Sequence, residues 1–208
     1  MKQMDELTSV RKRYDRFSRV YDIFEKPMEM SFFRMWRKDL ISNLRGNILE
    51  IGVGTGKNLE FYRKDANVIG IDLSKRMLKE AEKKLKRLQN KNITLLEMDA
   101  QNLKFKNNYF DYVLCTCVLC SVPDPLLVLK EMKRVVKKNG KILMIEHMLS
   151  RHWPIALFEN VFNPLTKRMF GFNINRDTKK SIHMAGLKIE KETNLFLDVF
   201  RRIEIKGE

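Results

Sequence analysis

Leu49-Glu50-Ile51-Gly52-Val53-Gly54-Thr55-Gly56-Lys57-Asn58 is the stretch that decides the fold. The apolar run 47–51 reads as a strand that delivers three glycines, and a helix is expected to follow through about residue 63. Glycines let the backbone turn sharply and let a ligand approach main-chain N–H groups at a helix N-terminus. Three nucleotide-binding readings compete here, and spacing separates them. A G-x-G-x-x-G dinucleotide fingerprint needs glycine at 57, where Lys57 stands. A P-loop starting at Gly52 also needs glycine at 57, and Gly56-Lys57 is followed by Asn58 rather than Ser or Thr. What remains is E-x-G-x-G-x-G, with an acid two residues ahead of the first glycine, a pattern suited to a cationic ligand.

Outward from the loop, strand and helix alternate. Strands are expected at 67–71, 93–97, 109–115 and 141–146. Ser74 can cap a charged helix to about residue 88, and a helix over 125–136 is expected to stop at Asn139-Gly140. Asp177 or Thr178 caps a short helix ended by Gly186, and closing strands are expected at 187–193 and 197–205. This alternation predicts an α/β fold: a Rossmann-like, mostly parallel seven-stranded sheet with helices on both faces and right-handed crossovers. One domain is expected over 1–208. Asp72 ends the second strand, 22 residues after Glu50, and Asp99 follows the third. All three acids then fall at the carboxyl edge of adjacent strands, where open α/β sheets bind ligands.

The chain has 208 residues, with 44% hydrophobic and 32% charged, so it can bury a sizeable core. No apolar run reaches about 18 residues, and the charged N-terminus lacks a secretory h-region, so a cytoplasmic protein is expected. Cys115, Cys117 and Cys120 crowd one apolar stretch, with the histidines far away and no second cysteine pair, so neither a disulfide framework nor a metal site is expected. The net charge of +15 attracts polyanions, either nucleic acid or an anionic membrane leaflet. The blander reading is a lysine-rich surface that merely solvates helices.

Glu50, Gly52, Gly54 and Gly56, then Asp72, Asp99-Ala100 and Phe110-Asp111-Tyr112-Val113, resemble the class I methyltransferases that use S-adenosylmethionine (SAM). The likeness is strong over about 45–150. It implies SAM as cofactor, with Glu50 toward the methionine ammonium, Asp72 on the ribose hydroxyls and Asp99-Ala100 at the adenine. Thr55, Asn58, Leu73, Met77 and Gln101 complete the expected cofactor contacts. Asn139-Gly140-Lys141 departs from the family's P-G-G turn. Tyr14-Asp15-Arg16-Phe17-Ser18-Arg19-Val20-Tyr21-Asp22 resembles a box of bacterial phosphatidylethanolamine N-methyltransferases and quinone C-methyltransferases, which implies an N-terminal helical lid over 1–45 with Tyr14 and Tyr21 as contacts. The run 113–122, Ile145-Glu146-His147 and Asn173-Ile174-Asn175-Arg176-Asp177-Thr178 instead resemble membrane-associated alkyl-thiol methyltransferases.

Those likenesses imply a lipophilic or membrane-borne acceptor: phosphatidylethanolamine first, a small or alkyl thiol second, a quinone ring carbon third. His147, beyond the fifth strand, and Tyr21 are the candidate bases or acceptor-orienting residues, and Cys117 the candidate wall of the methyl pocket. Residues 151–176 hold Trp153, Phe158, Val161, Phe162, Leu165, Met169, Phe170 and Phe172, and are expected to form a substrate-cap insertion, or a shallow membrane anchor. An RNA methyltransferase is disfavoured, because Thr116-Cys117-Val118-Leu119 stands where an N/D-P-P-Y motif would. A non-catalytic SAM-binding module is the remaining alternative. Oligomeric state is not legible.

Overall fold

Ile48, Leu49 and Ile51 are fully buried, which fits a central parallel strand covered on both faces. In the computed structural model, which describes residues 2–17, 32–169 and 171–207, this strand is β1 (Gly46–Ile51). Among the described residues α1 (Lys2–Phe17) and α2 (Arg34–Ile41) precede it. After it come β2 (Ala66–Asp72), α3 (Lys75–Leu88), β3 (Ile93–Glu97), β4 (Phe110–Thr116), α4 (Pro125–Val135) and β5 (Val136–His147). Then follow α5 (Trp153–Met169), α6 (Thr178–Met184), β6 (Ile189–Phe196) and β7 (Phe200–Lys206). The seven strands lie in the order β3-β2-β1-β4-β5-β7-β6. Pairs among β1 to β5 are parallel, and β7 runs antiparallel to both neighbours. The expected Rossmann-like sheet is what the chain forms.

Two apolar clusters sandwich it. One packs Ile51, Val113 and Met144 against Leu129, Met132 and Ile182 of α4 and α6. The other packs Ile48, Val68 and Leu114 against Leu40 and Ile41 of α2 and Leu78 and Ala81 of α3. Short polar residues start the helices as expected. Ser74 Oγ accepts from the Met77 N–H at 3.1 Å, and Asp177 accepts from the Lys180 N–H at 2.9 Å. Asp124 Oδ1 accepts from the Leu126 N–H at 2.9 Å, with Pro125 at the first helical position.

Three expectations about elements need correction. No α-helix follows the glycine loop; a turn leads to a single 3-10 turn, Leu59–Phe61, because Asn58 and Tyr62 both point inward to Glu50. Asn139-Gly140 does not stop a helix. The chain already leaves α4 at Val136, a buried β-branched residue that turns extended (ψ 142) and pairs with Phe110, so β5 begins five residues early. Gly140 serves close approach instead: a Cβ there would lie 2.7 Å from the Asp111 carbonyl oxygen. The last two strands start later than expected, at Ile189 and Phe200, with a turn at 197–199 between them.

Asp111 ties the opposite, amino-side edge of the sheet together. Its Oδ2 accepts from the Asn47 N–H at 2.8 Å and its Oδ1 from Lys137 Nζ at 2.7 Å, joining β1, β4 and β5. Replacing Asp111 with Ala leaves the Asn47 N–H without its acceptor and is expected to lower stability by about 1–3 kcal/mol. Urea unfolding measures it, and SAM affinity should be unchanged because the pocket lies at the other edge.

Candidate active site

β1 has β2 on one side and β4 on the other, so the chain reverses its winding there and leaves a crevice at the carboxyl ends of the strands. A pocket fills that crevice. Its floor is Gly52, Val53, Gly54 and Thr55; one side carries Asp72, Leu73, Met77, Asp99 and Ala100; the other carries Thr116, Cys117 and Val118. Leu7, Val10 and Tyr14 of α1 form a further wall. Gly54 has φ +55, and a Cβ there would meet nothing nearer than the Gly52 carbonyl oxygen at 4.0 Å, so a side chain would occupy the pocket itself. Gly52, at φ +67, is held against Val118, whose Cγ2 would lie 2.4 Å from an added Cβ.

Glu50 lies below this floor, 1% exposed, within a closed polar network. Asn58 Nδ2 donates to its Oε1 at 2.8 Å and Tyr62 Oη to its Oε2 at 2.8 Å. Arg37, from α2, donates to Asn58 Oδ1 at 3.0 Å and Thr116 Oγ1 at 2.8 Å. Burial pushes the Glu50 carboxyl up to about 7, against the pull of Tyr62, Asn58 and Arg37. Asp72 is the second acid. Its Oδ2 accepts from the Gly54 N–H at 2.9 Å and its Oδ1 from the Ser74 N–H at 2.8 Å, which aims the carboxylate across the loop. Desolvation raises it to about 6 in spite of these donors. Asp99 Oδ1 accepts from the Gln101 N–H at 2.9 Å. Glu50 and Asp72, at the carboxyl ends of β1 and β2, and Asp99, just after β3, thus form an acid-lined edge two strand spacings, or roughly 10 Å, long.

Glu146 is a fourth acid, not singled out from the sequence. It is fully buried, and its Oε1 accepts from the N–H groups of Val118 and Leu119 at 2.9 and 3.3 Å and from the Cys115 thiol at 3.1 Å. This braces the 117–119 wall, where Cys117 takes an unusual left-handed φ of +56. Burial raises Glu146 to about 7.

Most of the expected cofactor residues converge on the pocket: Tyr14, Glu50, Gly52, Gly54, Thr55, Asn58, Asp72, Leu73, Met77, Asp99, Ala100 and Cys117. Gly56, Gln101 and His147 are not among its lining residues. Gly56 gives close approach to α3, since a Cβ would lie 3.1 Å from Ala81. Gln101 links the Asp99 turn to α4, its Oε1 accepting from the Asp124 N–H at 3.1 Å. His147 stacks edge-on against Phe200 at 5.1 Å, and burial pushes it down to about 4, so it is neutral at pH 7. Tyr21 lies outside the described residues.

A methyltransferase-domain family profile matches residues 49–144, the stretch that builds this floor. Over 156 residues the chain is 34% identical to the phosphatidylethanolamine N-methyltransferase of Cereibacter sphaeroides, covering 74% of this chain and 75% of that protein. The chain is a class I SAM-dependent methyltransferase. It is also 33% identical over 141 residues to a demethylmenaquinone methyltransferase of Bacillus cereus, covering 64% of this chain and 60% of that protein. Among solved structures, a SAM-dependent methyltransferase from Thermotoga maritima, described as a possible histamine N-methyltransferase, superposes with a TM-score of 0.70 at 20% identity over 95% of this chain and 99% of that one. At that identity the likeness speaks to the fold. SAM is the cofactor, and the described residues hold no group of metal-ligating side chains.

The pocket chemistry fits SAM, which is cationic at sulfonium and ammonium: its open glycine floor is bordered by carboxylates that burial has left short of counter-charge. That shortage has a measurable sign. Glu50 and Glu146 stand at about 7 against an ordinary 4.5, and Asp72 at about 6 against 3.8. Through these three carboxyls the folded, ligand-free methyltransferase holds more protons than the unfolded chain between about pH 4 and 7, so their contribution to stability falls as pH rises through that window, partly offset below about pH 6.5 by His147, which burial pushes the other way. Glu50→Gln removes a term worth roughly 3 kcal/mol above pH 7. The expected outcome is a ligand-free variant with a higher Tm than the wild type at pH 8, a smaller difference at pH 5, and a lost response to SAM.

Proposed function

We propose that this methyltransferase acts on a lipophilic, membrane-borne acceptor, with the primary amine of phosphatidylethanolamine as its substrate. The observation carrying this reading is the 34% identity with a phosphatidylethanolamine N-methyltransferase over three quarters of both chains. The likeness to demethylmenaquinone methyltransferases supports a quinone ring carbon as the second reading.

When bound, SAM supplies an activated methyl group on a good leaving group. The chain's part is to hold and align. Glu50 would hold the ammonium end, and Arg37, which also lines the pocket, would take the neighbouring carboxylate. Asp72 would accept from the ribose hydroxyls with the lone pairs that Gly54 and Ser74 leave, and Asp99 would take the adenine amino group. The apolar wall of Cys117, Val118, Val122 and Pro123 keeps water from the methyl. An amine acceptor attacks in its neutral form, so a general base helps without being obligatory. His147 is a neutral imidazole packed on Phe200, outside the pocket lining, and its place favours a supporting role over contact with the acceptor.

Asp72→Ala removes charge-assisted hydrogen bonds and is expected to weaken SAM binding by about 1.5–3 kcal/mol, roughly ten- to hundredfold, by calorimetry. Unchanged affinity would contradict this use of the acidic edge. For the acceptor, methyl-labelled SAM is incubated with vesicles of phosphatidylethanolamine and an anionic lipid. Label in mono- and dimethylated headgroups is expected. Label only in an added quinone, or only in an added alkyl thiol, would replace the amine reading.

A further inference from the structure

α5 is inside out. Surface helices of soluble proteins turn their apolar face to the core and their polar face to water. On α5, Trp153, Leu157, Val161, Leu165 and Met169 recur every fourth residue, with Phe158 and Phe162 beside them, and all are exposed, Trp153 at 75% and Val161 at 64%. At about 100° per residue these seven sweep one half of the helix. The other half faces the protein and carries polar anchors: Glu159 is 3% exposed and accepts from the Ser150 N–H at 2.8 Å, and Asn163 Oδ1 accepts from the Ile174 N–H at 2.9 Å. The helix is thus held by hydrogen bonds and presents its oil outward. A contiguous apolar face of this kind marks an interaction surface.

The charges around it indicate what covers it. At its amino end lies a groove of 650 Å³, lined by Arg151, Lys180 and His183 beside Asp177. Two other cations of that groove are already neutralised, Lys179 by Glu192 and Arg201 by Glu192 and Asp198. Arg151 and Lys180 are exposed and make no ion pair among the described residues. Lys167 and Arg168 follow at the carboxyl end. Apolar half, cations at both ends and a net charge of +15 match an anionic surface with an oily interior. A second copy would bring the same +15 against itself, which opposes face-to-face association.

We propose that α5 and its cationic groove dock on an anionic lipid bilayer, with the apolar half of the helix inserted among the acyl chains and the groove over headgroup phosphates. No helix among the described residues is long and apolar enough to cross the membrane, so the docking is peripheral. The proposal rests on the lipophilic-acceptor reading for the route by which substrate arrives. It also reaches the pocket, because Arg13 of α1 donates to the Lys167 carbonyl of α5 at 2.8 Å, on the helix that walls the pocket with Leu7, Val10 and Tyr14.

The full chain is cosedimented with vesicles of phosphatidylcholine alone and of phosphatidylcholine mixed with phosphatidylglycerol. Binding to the mixed vesicles is expected, with quenching of tryptophan emission by brominated lipid that is lost in Trp153→Phe, where Trp36 alone remains. Leu157→Ser/Val161→Ser/Leu165→Ser, all at exposed positions, should lose about tenfold or more in partitioning while keeping SAM affinity. Arg151→Glu/Lys180→Glu should lose about fivefold per cation, and only on the anionic vesicles. Absent partitioning, or partitioning indifferent to both variants, overturns the proposal. A wild-type dimer that the serine variant dissociates assigns the face to a second copy and overturns it as well. These vesicles contain no phosphatidylethanolamine, so docking on them together with no label in the separate phosphatidylethanolamine assay sinks the acceptor reading alone, and methylation of detergent-dispersed phosphatidylethanolamine without docking sinks this one alone.

Discussion

A carboxylate buried at the end of the central strand, without a full counter-charge of its own, is the constraint on which the site depends. Glu50 sits where β1 opens into the glycine turn, and its two oxygens are held by Asn58 and Tyr62. That requirement shapes the chain after the loop. Residues 57–62 turn tightly to bring both partners inward, and an α-helix is given up in exchange for two hydrogen bonds to a buried acid. Arg37 crosses from α2 to tie Asn58 to Thr116, so the ends of β1 and β4 and the helix before β1 form one rigid polar block. Such a block costs the empty fold stability above the raised carboxyl range, and a bound cation relieves it.

The same economy recurs at Glu146, the buried acid that collects two backbone N–H groups and a thiol behind the opposite wall. Together the two acids fix the lips of the crevice, and the mobile choices of the enzyme are left to the elements above it. α1 spans from the pocket to α5, held to α3 by Asp15, which accepts from Ser74 Oγ at 2.6 Å. One hydrogen bond, from Arg13 to the Lys167 carbonyl, links the helix that walls the pocket to the helix that faces oil outward.

The fold was legible because parallel strands buried on both faces write themselves as apolar runs, and three of their carboxyl ends carry an acid or glycine that nothing in a strand interior would favour. The acids of the cofactor edge follow from that register. Arg37 was not read, although a signal existed: it shares a helical face with Phe33, Leu40, Ile41 and Leu44, and a lone cation on a buried stripe needs partners. His147 ends β5 and is not among the residues lining the pocket, for a reason that strand alternation supplies. Glu146 takes the face of Ile142 and Met144 behind the pocket wall, while His147 takes the face of Leu143 and Ile145 and meets Phe200. The early end of α4 was hidden because Val136 fits a helix and a strand about equally, and only pairing with Phe110 decides. The outward face of α5 could not be told from a core helix by composition, since both are apolar and only the placement of Glu159 and Asn163 shows which side is in.

Glu50, which burial pushes up to about 7, is expected to hold a proton part of the time in the empty enzyme and to give it up to a cationic cofactor. Calorimetric titration of SAM at pH 6.5 in two buffers of different ionisation enthalpy measures it directly. The expected result is a net release of protons from the wild type that falls in Glu50→Gln, together with a loss of affinity in that variant. Equal heats in both buffers, or a variant that binds as tightly as the wild type, would contradict it.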